Sequence, residues 1–267
     1  MNKVIEVNQL VKTFGHPAGL FHPNRREVHA LKNISLELYE GETLAVVGES
    51  GSGKSTLARI LVGLEKATSG DMTILGQTQR EWQKQGARAF GQAVQYVFQD
   101  PVASLNPRKT IGETLSIPLK YLKHMNKAQR QRRLEELLNA VNMPIDSLSY
   151  YPHEFSGGQA QRLAIARALA AEARILVLDE PVSALDVSVQ AQVLLLLQDL
   201  KQQFSLSYLF ISHDLAVVES IADRVAVLYL GDLLECRDTN SLFARPEHSY
   251  TQNLLASAPR ITMDSSV

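Results

Sequence analysis

The sequence predicts an α/β fold with a mainly parallel sheet and a helical segment inserted in it. Three observations carry this reading. Short apolar runs recur at Leu44–Val47, Val94–Phe98, Ile175–Leu178 and Tyr208–Ile211, the pattern of strands buried on both faces. Stretches with helical apolar spacing separate them, and strands joined through helices pair in parallel. From about Asp100 to Ala171 the helical pattern continues without such a run, which reads as an insertion in the core.

Taken in order, the first forty residues read as strands. Ile34, Leu36 and Leu38 alternate with Ser35, Glu37 and Tyr39, the period of a half-buried strand. Between Phe14 and Val28, Pro17, Gly19, Pro23 and Arg25-Arg26 break every period and predict a loop. After Leu44–Val47, Leu57, Ile60, Leu61 and Leu64 fall on one helical face. Leu134, Leu137, Leu138 and Val141 repeat that spacing. Val193–Leu197 and Val225–Leu230 fit core helices or strands. The four buried runs end in Gly48, Gln99, Asp179-Glu180 and Ser212-His213. Ligands of open α/β sheets bind beyond the carboxyl ends of the strands, so these termini point to one shared site.

Composition narrows the function. The 267 residues hold 27 Lys+Arg against 28 Asp+Glu, a net charge of −1. Nucleic-acid binding through phosphates needs a basic excess, so no nucleic-acid partner is expected. The single cysteine, Cys236, excludes an intrachain disulfide or a thiolate metal cage. No apolar run approaches the roughly 18 residues of a membrane span. The amino-terminal residues lack the layout of a secretory signal, so a cytoplasmic location is expected, with any membrane attachment supplied by another chain.

Gly48-Glu49-Ser50-Gly51-Ser52-Gly53-Lys54-Ser55 matches G-x-x-x-x-G-K-[ST] between a strand and a helix. Glycines let successive N–H groups curl toward phosphate oxygens, and the helix adds its positive end. The expected nucleotide contacts are Gly48, Ser50, Gly51, Ser52, Gly53, Lys54, Ser55 and Thr56, with Lys54 on the β- and γ-phosphates. Ser55 is expected to ligate Mg²⁺, together with Asp179 at the end of Ile175–Asp179. Glu180 stands next in line to polarise an attacking water. Ser156-Gly157-Gly158-Gln159 opens another helix with capping-box spacing. Two glycines in a first turn weaken a helix by about 1 kcal/mol each, which is sensible where a ligand approaches the backbone. A second phosphate-facing helix start, without its own lysine, is expected there.

With these motifs the chain resembles the nucleotide-binding subunits of ATP-binding cassette (ABC) transporters. Phe155-Ser156-Gly157-Gly158-Gln159 is similar to the family signature, with Phe155 in place of leucine. Ala160 stands where the peptide-importer branch often has arginine, leaving the basic role to Arg162 and Arg167. The resemblance implies the ABC ATPase fold: a P-loop NTPase core with a mainly parallel sheet, an antiparallel β portion at the N-terminus and a helical subdomain. It implies one nucleotide-binding domain over 1–267, with the helical subdomain at about 100–171 and a C-terminal extension at about 232–267. It makes Gln99 a contact to Mg²⁺ and the attacking water, Ser183–Asp186 a loop across a dimer interface, His213 a γ-phosphate contact, and Phe14, with Phe21 as the rival, the adenine stack. Catalysis would fall to Glu180, His213, Gln99 and Lys54. Each ATP would lie between the Lys54 loop of one subunit and the Ser156–Gln159 loop of the other.

The tail Leu242–Thr251, Ala258-Pro259-Arg260, Phe98–Pro101, Ser104–Pro107 and Tyr151–His153 resemble the dipeptide, oligopeptide and nickel uptake branch. So does the loop from Gly15 to Arg26. The implied partners are two membrane permeases, a second ATPase subunit, identical or homologous, and indirectly a solute-binding protein. The place of work would be the cytoplasmic face of the inner membrane. An exporter ATPase, a soluble ABC ATPase and a P-loop kinase are the alternatives. His16, His22 and His29 read as a solvated loop, Arg130, Arg132 and Arg133 as an exposed helix face, and Trp82 receives no role.

Overall fold

The computed structural model describes residues 2–15 and 27–257. In chain order the elements begin with β1 (Lys3–Phe14), β2 (Val28–Tyr39), β3 (Thr43–Val47), α1 (Lys54–Leu61), β4 (Ser69–Ile74) and β5 (Gln77–Thr78). There follow α2 (Gln79–Gln85), α3 (Ala87–Ala93), β6 (Val94–Val97), α4 (Ile111–Tyr121) and α5 (Lys127–Ala140). Two short 3₁₀ turns lead to α6 (Gly157–Leu169), β7 (Ile175–Asp179), α7 (Val187–Phe204), β8 (Ser207–Ile211) and α8 (Leu215–Ile221). The chain closes with β9 (Arg224–Tyr229), β10 (Asp232–Asp238), α9 (Thr239–Ala244) and α10 (Ser249–Ser257).

Two sheets result. The N-terminal one is antiparallel, in the order β2-β1-β4-β5. Ile34, Leu36 and Leu38 of β2 are buried, as their alternation requires. The larger sheet runs β10-β9-β3-β8-β7-β6, parallel except for the β9–β10 hairpin. Its central strands β3, β7 and β8 are buried along their whole length, which explains why they read as continuous apolar runs rather than alternating ones.

The pleat of β3 divides the core. Leu44 and Val46 pack with Leu57, Ile60 and Leu61 of α1 and with the antiparallel sheet. Ala45 and Val47 face the other way, against Leu215, Leu242, Tyr250 and Leu254. A third apolar cluster joins α4, α5, α6 and α7 to Leu176, Leu178 and Phe210. The segment between β6 and β7 is thus helical, and its helix α6 packs against β6 of the main sheet and against α7, which follows β7.

Several expectations change. Leu64 is not part of the α1 stripe: Gly63 takes φ 75°, the helix ends, and Leu64 is 59% exposed. Phe98 lies past the end of β6 and is exposed. Of the arginines read as an exposed helix face, Arg132 is exposed, while Arg130 and Arg133 are half-buried. Arg130 donates to the Met125 carbonyl at 2.7 Å, and Arg133 pairs with Glu136 at 2.7 Å. Arg167, expected to hold part of a basic role beside the signature, is half-buried, and its guanidinium donates to the Ser104 carbonyl. Arg162 donates to the Val141 carbonyl at 3.2 Å and to Gln192 at 3.3 Å. Trp82 is a core residue despite its polar neighbours, because the capping box of α2 turns it inward. Its indole N–H donates to the Ile74 carbonyl at 3.0 Å, with Phe90 edge-on at 5.7 Å.

Replacing Trp82 by Phe removes that hydrogen bond and leaves a small void. The variant is expected to lose about 1–3 kcal/mol of stability in urea titrations followed by circular dichroism.

Candidate active site

The parallel register aligns the carboxyl ends of four strands on one edge. Val46 pairs with Ile211, Ile211 with Asp179, and Leu178 with Val97. The residues that leave the sheet there are Gly48, Glu180, Ser212-His213 and Phe98-Gln99. Above them opens a cleft of about 810 Å³. Ser50, Gly51, Gly53, Lys54, Ser55 and Thr56 line it, as do Phe14, Gln99, Glu180 and His213.

The loop after β3 owes its path to glycine. A Cβ on Gly48 would lie 2.0 Å from the Leu228 carbonyl oxygen, and one on Gly53 would lie 2.4 Å from that of Ala30. Both have positive φ, 148° and 107°, which side chains with a Cβ rarely adopt. Gly53 starts α1 with no side-chain cap, so the first N–H groups of the helix are free to take an anion. Ser52 is buried within the loop. Lys54 is 6% exposed, and its Nζ donates to the carbonyls of Gly48 at 2.7 Å and Glu49 at 2.8 Å. Burial holds this ammonium below the usual lysine range, against the opposing pull of Glu180, Asp179 and Glu49. A phosphate would restore the missing counter-charge.

The carboxylates divide the remaining work. Asp179, 6% exposed, accepts from Ser55 Oγ at 3.2 Å and, on its other oxygen, from the Tyr96 hydroxyl. A hydroxyl beside a carboxylate is a hard oxygen pair of the kind Mg²⁺ takes when phosphates and water complete its shell. Glu180 has its backbone at φ 48°, and its N–H donates to the Ile211 carbonyl at 3.0 Å. Its side chain bridges two others: Gln99 Nε2 donates to Oε2 at 2.8 Å, and His213 Nδ1 lies 3.1 Å from Oε1. Gln99, expected as a metal contact, is here bonded to Glu180 rather than to Asp179.

A sequence profile described as ABC transporter matches residues 31–183. The chain belongs to the ABC transporter family. It is 48% identical over 256 residues to the probable peptide ABC transporter ATP-binding protein y4tS of Sinorhizobium fredii, covering 96% of this chain and 72% of that one. It is 46% identical over 261 residues to the dipeptide transport ATP-binding protein DppF of Escherichia coli, covering 98% and 78%. Among solved structures, the ATP-binding cassette MJ0796, a dimer bound to ADP and Pi, superposes with a TM-score of 0.77 at 28% identity, covering 88% of this chain and 98% of that one. The cassette is accordingly an ATP hydrolase of the ABC type.

Within the cassette, Ser156, Gly157, Gly158 and Gln159 do not line the Lys54 cleft. Ser156 and Gln159 form the capping box of α6, with bonds of 3.0 and 3.4 Å. Gly158 is buried, and a Cβ there would lie 2.4 Å from Cγ1 of Val189 on α7. That packing, rather than the approach of a ligand within this chain, requires the second glycine. Gly157 borders a separate groove with Gln99, Pro101, Gln161, Pro181 and Leu185. Asp186, in the segment Ser183–Asp186, caps α7 by accepting from the Val189 N–H at 3.0 Å.

Phe14 stands at the end of β1, 40% exposed, with Lys12 Nζ 4.6 Å from its ring centroid. Its rival Phe21, like His16 and His22, falls outside the described residues. His29 belongs to β2 rather than to a solvated loop; its Nδ1 is 3.1 Å from Thr13 Oγ1, and it lines the cleft with Val28 and Leu230. Sequence reasoning assigned Val28 and Leu230 no place in the site, because neither belongs to a motif. It also passed over Tyr96, although a tyrosine inside a buried strand needs a hydroxyl partner. Burial, then the bond to Asp179, push this phenol up.

Replacing Gly48 by Ala would force the loop off the Leu228 carbonyl and strain a positive φ. A loss of about 2 kcal/mol or more is expected in urea denaturation.

Proposed function

We propose that this cassette is the ATP-hydrolysing motor of an ABC importer for a peptide or a metal chelate of the nickel type, working at the cytoplasmic face of the inner membrane. The names of its relatives support the peptide class, and the tail Leu242–Thr251 supports the uptake branch. Among the described residues no helix is long and apolar enough to cross a membrane. In this reading two separate permease subunits form the path, and a solute-binding protein delivers cargo to them.

The observation that carries the chemistry is the Glu180 carboxylate, held between Gln99 and His213 on the edge that also presents Lys54. Glu180 acts as general base: it takes a proton from a water lined up on the γ-phosphate. Gln99 orients that water, and His213 stabilises the oxygens of the phosphoryl group in flight. Lys54 keeps its contact with the Gly48 carbonyl and turns its other N–H groups to the β- and γ-phosphate oxygens, while the N–H groups from Gly51 to Thr56 cradle the chain of phosphates. Ser55 and Asp179 would hold Mg²⁺, which would supply positive charge to the phosphate oxygens. Phe14 stacks on adenine.

Ser156, Gly157 and Gln159 are exposed and lie away from the Lys54 cleft of their own chain. They reach a γ-phosphate only from a second subunit, identical or homologous. ATP then joins two cassettes, and hydrolysis releases them. The dimeric state of MJ0796 with ADP and Pi supports this arrangement.

Glu180→Gln is expected to bind ATP, accumulate as a dimer in size-exclusion chromatography with ATP, and lose at least about 100-fold in turnover. Turnover near the parent's would remove Glu180 from the base role. Lys54→Ala is expected to weaken ATP binding about 10- to 100-fold by calorimetry, since it deletes a charge-assisted bond to phosphate.

A further inference from the structure

The C-terminal segment after β10 takes no part in the chemistry above, yet it folds back onto the phosphate loop. Its course is fixed by polar contacts to its own neighbours. The His248 N–H donates to Glu235, and the Tyr250 N–H donates to His248 Nδ1 at 3.1 Å. Gln252 Nε2 donates to the Pro246 carbonyl at 3.1 Å. Leu254 and Leu255 of α10 pack on the face of the sheet that carries Ala45 and Val47. The Tyr250 ring rests on the Tyr229 ring at the end of β9, with centroids 4.2 Å apart.

This packing brings the Tyr250 hydroxyl to the second residue of the loop, where it accepts from the Glu49 N–H at 3.1 Å. That N–H belongs to the same planar peptide group as the Gly48 carbonyl. The Gly48 carbonyl in turn accepts from Lys54 Nζ at 2.7 Å. Tyr250 and Lys54 therefore hold opposite ends of one peptide. A second tie comes from the β9–β10 turn, where the Gly231 N–H donates to the Ser52 carbonyl at 3.0 Å. Burial raises the Tyr250 phenol, and the neutral hydroxyl accepts from the amide through an oxygen lone pair.

Van der Waals contact with Tyr229 needs only a ring, and phenylalanine would supply it. The hydroxyl has a different effect: it fixes the rotation of the first peptide of the loop, and with it the direction of the carbonyl against which Lys54 rests. We propose that Tyr250 is a positioning residue for the nucleotide loop, and that the C-terminal segment is a clamp that keeps the loop in its binding conformation. The consequence for nucleotide affinity rests on the reading of the cleft as the ATP site; the consequence for the loop itself does not.

The test compares the full chain with Tyr250→Phe, which keeps the ring and deletes the oxygen. Hydrogen exchange at the Glu49 amide, without nucleotide, is expected to quicken in the variant, while amides of β3 and β9 keep their protection and the melting temperature falls by no more than about 4 °C. Affinities for ATP and for ADP are expected to fall about threefold to tenfold, the worth of one hydrogen bond. The loss would appear in KM, with kcat within about twofold of the parent. Exchange at Glu49 and both affinities equal to the parent's would overturn the clamp. So would a general loss of protection across β3 and β9 with a melting temperature lowered by more than about 4 °C, since that marks packing alone. An unprotected Glu49 amide in the parent protein would overturn it without any variant. A parent that binds no ATP would sink the proposed function, and the Glu49 exchange comparison would still decide the clamp.

Discussion

The close approach of bare backbone to bare backbone around Gly48 and Gly53 is the constraint on which the rest of the site depends. A carbonyl of β9 and one of β2 occupy the space that side chains would need. Because the loop is so pressed, it turns with positive φ at both glycines, and Ser50, Gly51, Gly53 and Lys54 line the cleft. The same turn leaves α1 uncapped by any side chain. An uncapped helix start is ordinarily a defect, since it leaves donors unsatisfied. In the proposed reading these donors take the phosphates, and buried Lys54 adds a charge that rests on two carbonyls and the Ser52 hydroxyl.

Around this loop the parallel sheet arranges the other groups without further design. Strands that run in one direction deliver their C-termini to one edge, so residues distant in the chain meet there. Glu180 follows β7, Gln99 follows β6 and His213 follows β8, and they converge within hydrogen-bond distance. The positive φ of Glu180 turns its carboxylate from the strand direction toward these partners. Asp179, one residue earlier, points instead into the buried layer toward Ser55 and Tyr96. Adjacent carboxylates thus receive different environments, one nearly dry and fully paired, the other open to the cleft.

The two ends of the chain enclose this edge. β1 and β2 supply Phe14 and His29 to the cleft wall, and the C-terminal helices cover the opposite face of β3. The signature helix α6 presents its start elsewhere, in line with a site completed by a second subunit. Its buried glycine serves the α6–α7 contact at Val189, so the second glycine of this motif answers a packing demand.

What the sequence determined by itself is local or periodic. The strands β3, β6, β7 and β8 announced themselves as apolar runs, the loop as a glycine pattern with one lysine, and the ends of four strands as a shared edge. These follow from rules that act over a few residues: burial on two faces, the φ freedom of glycine, helix capping. The tertiary structure alone decided contacts between positions far apart in the chain. It turned Trp82 inward to the Ile74 carbonyl and tied Arg167 to the Ser104 carbonyl. It set Tyr96 on Asp179, pressed Gly158 on Val189, and brought Tyr250 to the amide of Glu49. No local spacing encodes such pairs, because each depends on how two separately formed elements are packed against the same sheet.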